Sequence, residues 1–74
     1  MMKILLSLYQ NVTPLLEDKE FNVLAVPQVG EQVIYEAEPS DDPRLAAIFK
    51  VTDVTHWLGG YKGENNLIRV TATC

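Results

Sequence analysis

Seventy-four residues make one domain at most, and a chain this short buries about 60% of the surface that its unfolded form exposes, enough for a single core but hardly for a deep catalytic cleft as well. Hydrophobic residues make up 47% and charged residues 22%, the balance of an ordinary globular domain, which excludes a chain disordered by composition. Ten Asp and Glu against six Lys and Arg leave a formal net charge of −4, a handicap for nucleic-acid binding, which draws on cations that displace counterions from phosphates.

In chain order, Lys3 precedes an apolar run over residues 4–9 that ends at Gln10 and Asn11. The run is far short of the roughly 20 residues that cross a bilayer and lacks the small-residue cleavage site of a signal peptide. It is read as the first strand, residues 2–9, of a cytoplasmic protein with no membrane contact. The sequon Asn11-Val12-Thr13 carries no weight without a secretion signal. Thr13-Pro14 has the form of a helix start, Thr as N-cap and Pro at the first helical position, and predicts one or two helical turns over residues 15–20.

Residues 21–26 form the second predicted strand, stopped by Pro27, and Gln28-Val29-Gly30 a turn. Residues 31–38 alternate, with Val33, Tyr35 and Ala37 on one side and Gln32, Glu36 and Glu38 on the other, the mark of a strand with one wet face. A polar loop follows over residues 39–43. Leu45-Ala46-Ala47 completes a helical turn or begins the next strand. Residues 48–58 carry Phe, Val, Thr and Trp in strand-like proportion. Phe49, Val51 and Trp57 share a parity that Val54 breaks, and one extra residue, a β-bulge around residues 52–55, would restore the pattern. Residues 59–66 read as a hairpin loop. Residues 67–73 form the fifth strand, with Ile68, Val70 and Ala72 inward. Five short strands suggest a mainly β fold, a small closed or half-open five-stranded antiparallel barrel, in which closure would leave no exposed edge. The SH3-like arrangement is favoured and the OB-like one is the alternative.

The segment running from Val26-Pro27-Gln28-Val29-Gly30-Glu31-Gln32-Val33 to the strand Phe49-Lys50-Val51-Thr52-Asp53-Val54-Thr55-His56 resembles small bacterial and phage barrels of the SH3-like kind. The resemblance covers residues 26–74 and consists of turn chemistry and strand pattern. It implies the barrel, and those families bring no activity with them.

No catalytic set is legible. Pairing Leu58 with Leu67 places His56, the one histidine, opposite Arg69, Trp57 opposite Ile68, and Cys74 opposite Val51. Five positions along a strand are about 16 Å, too far for a Cys–His pair. One His, one remote Cys and scattered carboxylates do not make a metal site. Cys74 has no partner for an intramolecular disulfide, so packing alone must hold the fold, as suits a reducing compartment. No enzyme activity and no cofactor are expected.

Two surfaces stand out. His56, Trp57, Tyr61, Lys62 and Arg69 combine aromatics, cations and a Gly loop, as base-stacking or peptide-binding surfaces do, but the simpler and preferred reading makes Trp57 the core anchor opposite Ile68 and Tyr61 the cap of the loop. Glu31, Glu36, Glu38, Asp41 and Asp42 form an acidic run, either a solvated edge or a docking face for a basic partner. These features favour a non-enzymatic protein-interaction or accessory module whose partner is another protein or a second copy of itself. The alternatives are a single-stranded nucleic-acid binder working through residues 57–62 and an acidic inhibitor that mimics nucleic acid.

Overall fold

The computed structural model describes residues 2–60 and 66–74. Five strands dominate: β1 (Met2–Gln10), β2 (Thr13–Val23), β3 (Gln32–Ile34), β4 (Ile48–Trp57) and β5 (Leu67–Thr73), with a single 3₁₀ turn at Pro43–Leu45. They form one sheet in the order β2-β1-β5-β4-β3, curled into a half-barrel. The β1–β2, β4–β5 and β3–β4 pairs are antiparallel, while β1 and β5 run parallel, Leu6 beside Val70 and Leu8 beside Ala72. The half-open form of the expected barrel is the one observed, and its all-antiparallel order is corrected to a sheet of mixed direction because β1 and β5 run parallel. The hairpin β1–β2 and the meander β3–β4–β5 are joined by a crossover, and β5 comes to lie against the free side of β1 in the same direction.

The helical turns expected over residues 15–20 do not form, and the whole segment belongs to β2. Asn11 takes a left-handed φ of 54°, which lets Asn11-Val12 close a two-residue hairpin with Gln10 opposite Thr13. Asn tolerates that backbone at low cost. Pro14, which has no N–H to give, sits in an edge strand where the missing donor costs little. Leu15 and Leu16 then pack on the core, so tertiary burial outweighs the helix-start signal. The second predicted strand, 21–26, is the end of β2 and stops at Val23. The third, 31–38, shrinks to three residues. It is set by a turn in which Gly30, at φ 93°, donates to the Val51 carbonyl while Glu31 N–H returns to Gln28.

The expected bulge is present, and it is Thr52. Val51 pairs with Ala72 and Asp53 with Thr71, so the extra residue flips the later part of β4. Val54 thereby joins Val70 on the core side, while Asp53 and Thr55 turn outward. The pairing beyond it is one residue from the expected register: Trp57 faces Leu67, His56 faces Ile68 and Thr55 faces Arg69.

The core lies on the concave side. Ile4, Leu6 and Leu8 of β1, Phe49 and Val51 of β4, and Val70 and Ala72 of β5 are buried there, with Leu45 of the 3₁₀ turn beneath them. Trp57 is not the core anchor expected of it. It is 43% exposed, because the bulge and the register place it on the convex face, and Phe49 fills the centre at 0% exposure.

Candidate functional site

The geometry separates the first predicted surface. Consecutive residues of a strand point to opposite faces, so His56 and Trp57 part company. His56 is exposed at the end of β4, in a shallow depression with Met2, Lys3 and Leu67. Trp57 and Arg69 do meet on the convex face, with the guanidinium carbon 5.0 Å from the ring centroid. Tyr61 and Lys62 lie outside the described residues.

Arg69 is also committed elsewhere. Its Nε lies 3.0 Å from Asp18 Oδ1 as an ion pair, without forming an aligned hydrogen bond to it. Nη2 donates to Asp18 Oδ2 at 3.3 Å. Asp18 occupies an irregular step of the β1–β2 ladder with φ 47°, and its N–H donates to the buried Ser7 hydroxyl at 3.0 Å. Four strands thus contribute Ser7, Asp18, Arg69 and Trp57 to one cluster in which the cation already has its carboxylate. That arrangement ties β2, β1, β5 and β4 together and gives Arg69 little spare charge for a phosphate.

The acidic run is mostly turn chemistry. The Glu31 carboxylate accepts from the Gln28 N–H. Asp41 Oδ2 accepts from the Glu38 N–H at 2.8 Å, while Asp41 N–H returns to the Glu38 carbonyl at 2.9 Å. Asp42 caps the 3₁₀ turn by accepting from the Arg44 N–H at 2.9 Å and pairs with the Arg44 guanidinium at 2.6 Å. The Arg44 side chain, and then its backbone N–H, holds the Asp42 carboxyl down at about 2. The side chains of Glu36 and Glu38 make no hydrogen bond among the described residues and are exposed.

The feature that sequence reasoning missed is the apolar cleft on the open side of the half-barrel. The sheet ends at β2 on one side and β3 on the other, and between these edges an apolar cleft of about 290 Å³ reaches the core. Ile4 and Leu6 form its floor, Phe21 and Val23 one wall, Val33 and Tyr35 the other. Side chains alone bridge it. The Phe21 and Tyr35 rings meet edge-to-face at 6.1 Å, and Lys19 Nζ lies 5.7 and 5.4 Å from their centroids. Lys19 donates to the Tyr35 hydroxyl at 2.9 Å, which in turn reaches Asp41 Oδ2 at 3.5 Å. The Tyr35 hydroxyl keeps the Lys19 ammonium above the usual lysine range. The alternation of Val33 and Tyr35 was the legible signal for one wall. The other, Phe21 and Val23, lay within the predicted strand 21–26, but its pairing with β1 as the end of a long β2, and hence its place across from β3, was not legible.

Among the described residues, no three His, Cys, Asp or Glu side chains converge on a point. Cys74, whose N–H donates to the Tyr9 carbonyl, and His56 lie at opposite ends of the β4–β5 ladder. Among the described residues, no helix is long and apolar enough to cross a membrane. No family model matches the chain, and no curated protein or solved structure matches it either.

Proposed function

We propose that this protein is a non-enzymatic interaction module that engages another protein through the open side of its half-barrel, in a reducing, cytoplasmic setting. The observation that carries this reading is the apolar cleft between β2 and β3, held together by side chains and not by a backbone ladder. A sheet that leaves an edge unpaired is a template for a further strand, and peptide-binding domains use such edges together with a neighbouring groove. An SH3-like reading of the half-barrel belongs to the same proposal; the count of five strands and the Gly30 turn support it, and the parallel β1–β5 pair counts against it. The nucleic-acid alternative is weakened by Asp18, which pairs with Arg69, the cation that stacks on Trp57 among the described residues. The acidic-mimic alternative is weakened because Asp41 and Asp42 are turned to local partners.

A photoreactive side chain placed at position 34, beside the cleft, and in a second variant at position 12, on the remote hairpin tip, tests the reading. Defined adducts formed in cells from position 34 and not from position 12 are expected. Adducts from neither position, or equally from both, would remove the cleft from consideration.

A further inference from the structure

The two edges that border the cleft are not equivalent. β2 carries Glu17, Asp18, Lys19 and Glu20 in succession and an irregular ladder at Asp18, which are devices that keep an edge from pairing. β3 carries none of them across Gln32-Val33-Ile34. Its ladder phase follows from one bond: Val51 N–H donates to the Glu31 carbonyl, so in the observed register Val33 and Phe49 form the hydrogen-bonded pair. The N–H and C=O groups of Gln32 and Ile34 therefore point away from β4, toward the open edge. Ile34 is also 71% exposed beside Ile48 at 58%, an apolar strip on the convex side of the same edge.

Charge selects the occupant. The free edge runs between Glu31 and Glu36, with Glu38 beyond it, on a chain of net charge −4. Two cations lie near this edge: Lys19 across the cleft, which is shared with Tyr35, and Lys50 on β4 opposite Gln32, so the carboxylates keep the majority. The cleft is at the small end of the roughly 300–1,000 Å³ typical of small-molecule pockets, a size that suits a few alternate side chains of an extended chain.

We infer that the outer edge of β3 is a strand-addition site for an extended segment of another protein, with apolar residues at alternate positions and a basic residue at each end. The segment hydrogen-bonds to Gln32 and Ile34. Its inward side chains enter between Phe21, Val23 and Val33, and its basic ends meet Glu31 and Glu36. This rests on the interaction reading above and adds its mode and the chemistry of the partner.

The probe is a synthetic seven-residue peptide, five alternating valines and threonines with a lysine at each end, whose length matches the spacing from Glu31 to Glu36, titrated into the isotope-labelled protein and followed by NMR. Shift changes are expected at residues 31–36 and at Phe21 and Val23, with slowed exchange of the Gln32 and Ile34 amide protons. Replacing the terminal lysines by glutamates is expected to weaken binding at least tenfold. Ile34→Pro deletes an outward N–H while sparing the Val33 groups that pair with β4, a substitution that edge strands tolerate, and it is expected to weaken binding by a similar factor. An unchanged Phe49 spectrum verifies that this variant is folded. Glu36→Lys, which leaves the backbone alone, is expected to narrow or reverse the preference for lysine ends.

Binding centred on Trp57 and Arg69, or binding indifferent to end charge, would overturn the inference. So would unchanged affinity in folded Ile34→Pro, or protection of the same amides that grows with protein concentration in the absence of peptide, the last making a second copy the occupant. Adducts at position 34 together with a failed peptide titration would sink strand addition alone, whereas absence of adducts would sink the interaction reading as well.

Discussion

Ser7 is 5% exposed, the one buried polar side chain among the described residues, and its hydroxyl exists to serve Asp18. Short polar residues tolerate the left-handed region better than most, but Asp18 still needs its N–H satisfied there. Ser7→Ala should therefore lower unfolding stability by about 1 kcal/mol, the net worth of a typical intramolecular hydrogen bond, read from urea midpoints. Asp42 supplies a pH dependence. Its folded carboxyl is depressed to about 2 by Arg44, so the cap's contribution is complete above the ordinary Asp value of about 3.9 and fades as the pH falls toward 2. Denaturation midpoints across that acid window should slope less in Asp42→Asn than in the parent, and a carboxyl titration by NMR should place the Asp42 midpoint near 2. None of this local pairing was legible as such. Asp41 and Asp42 counted as surface charge because a cap is recognisable only once the turn behind it is known.

At the scale of elements, β4 depends on one residue more than its side chain suggests. Thr52 is exposed and its hydroxyl makes only a 3.3 Å bond to the Thr71 carbonyl, so Thr52→Ala should change stability by no more than about 0.5 kcal/mol. Deleting Thr52 should abolish cooperative thermal unfolding followed by circular dichroism. Loss of one residue sends Asp53 and Thr55 to the core side and Val54 to solvent. The parity break at Val54 made the bulge legible, while the pairing beyond it was off by one because loop length alone does not set register. The error at β2 has a different cause. Thr13-Pro14 and the following Leu15-Leu16 suit a helix start as well as an edge strand, and only the contact of those leucines with Leu8 and its neighbours decides between the two.

The whole molecule is a curled sheet whose opening is closed by a few side chains. Tyr35→Phe retains the ring contact with Phe21 but removes the bonds to Lys19 and Asp41. It should cost about 0.5–1.5 kcal/mol at most and should speed amide exchange along the walls of the cleft more than in β1 or β5. Phe49, fully buried at the centre, marks the opposite extreme. Phe49→Ala should cost about 3–5 kcal/mol, a large part of the total stability of a domain this size, measured by chemical denaturation. A fold with so little margin at its centre and so loose a closure at its rim has its plastic region at the cleft.

Composition, apolar runs and turn residues by themselves determined a mainly β domain with strands near residues 2–9, 48–58 and 67–73, a turn at Gly30, a bulge within residues 52–55 whose position the structure then fixed at Thr52, and an inward row of Ile68, Val70 and Ala72. These features are local, since period-two burial and backbone preference are written into neighbouring residues. Only the tertiary structure decided that β5 lies parallel to β1, that Arg69 meets Asp18 from 51 positions away, and that the two sheet edges stop short of each other. Those outcomes depend on which distant surfaces bury the most apolar area together, a sum over the whole chain that no single segment carries. The candidate site belongs to this second class, because a cleft between two edges exists only where strands far apart in sequence come close without pairing.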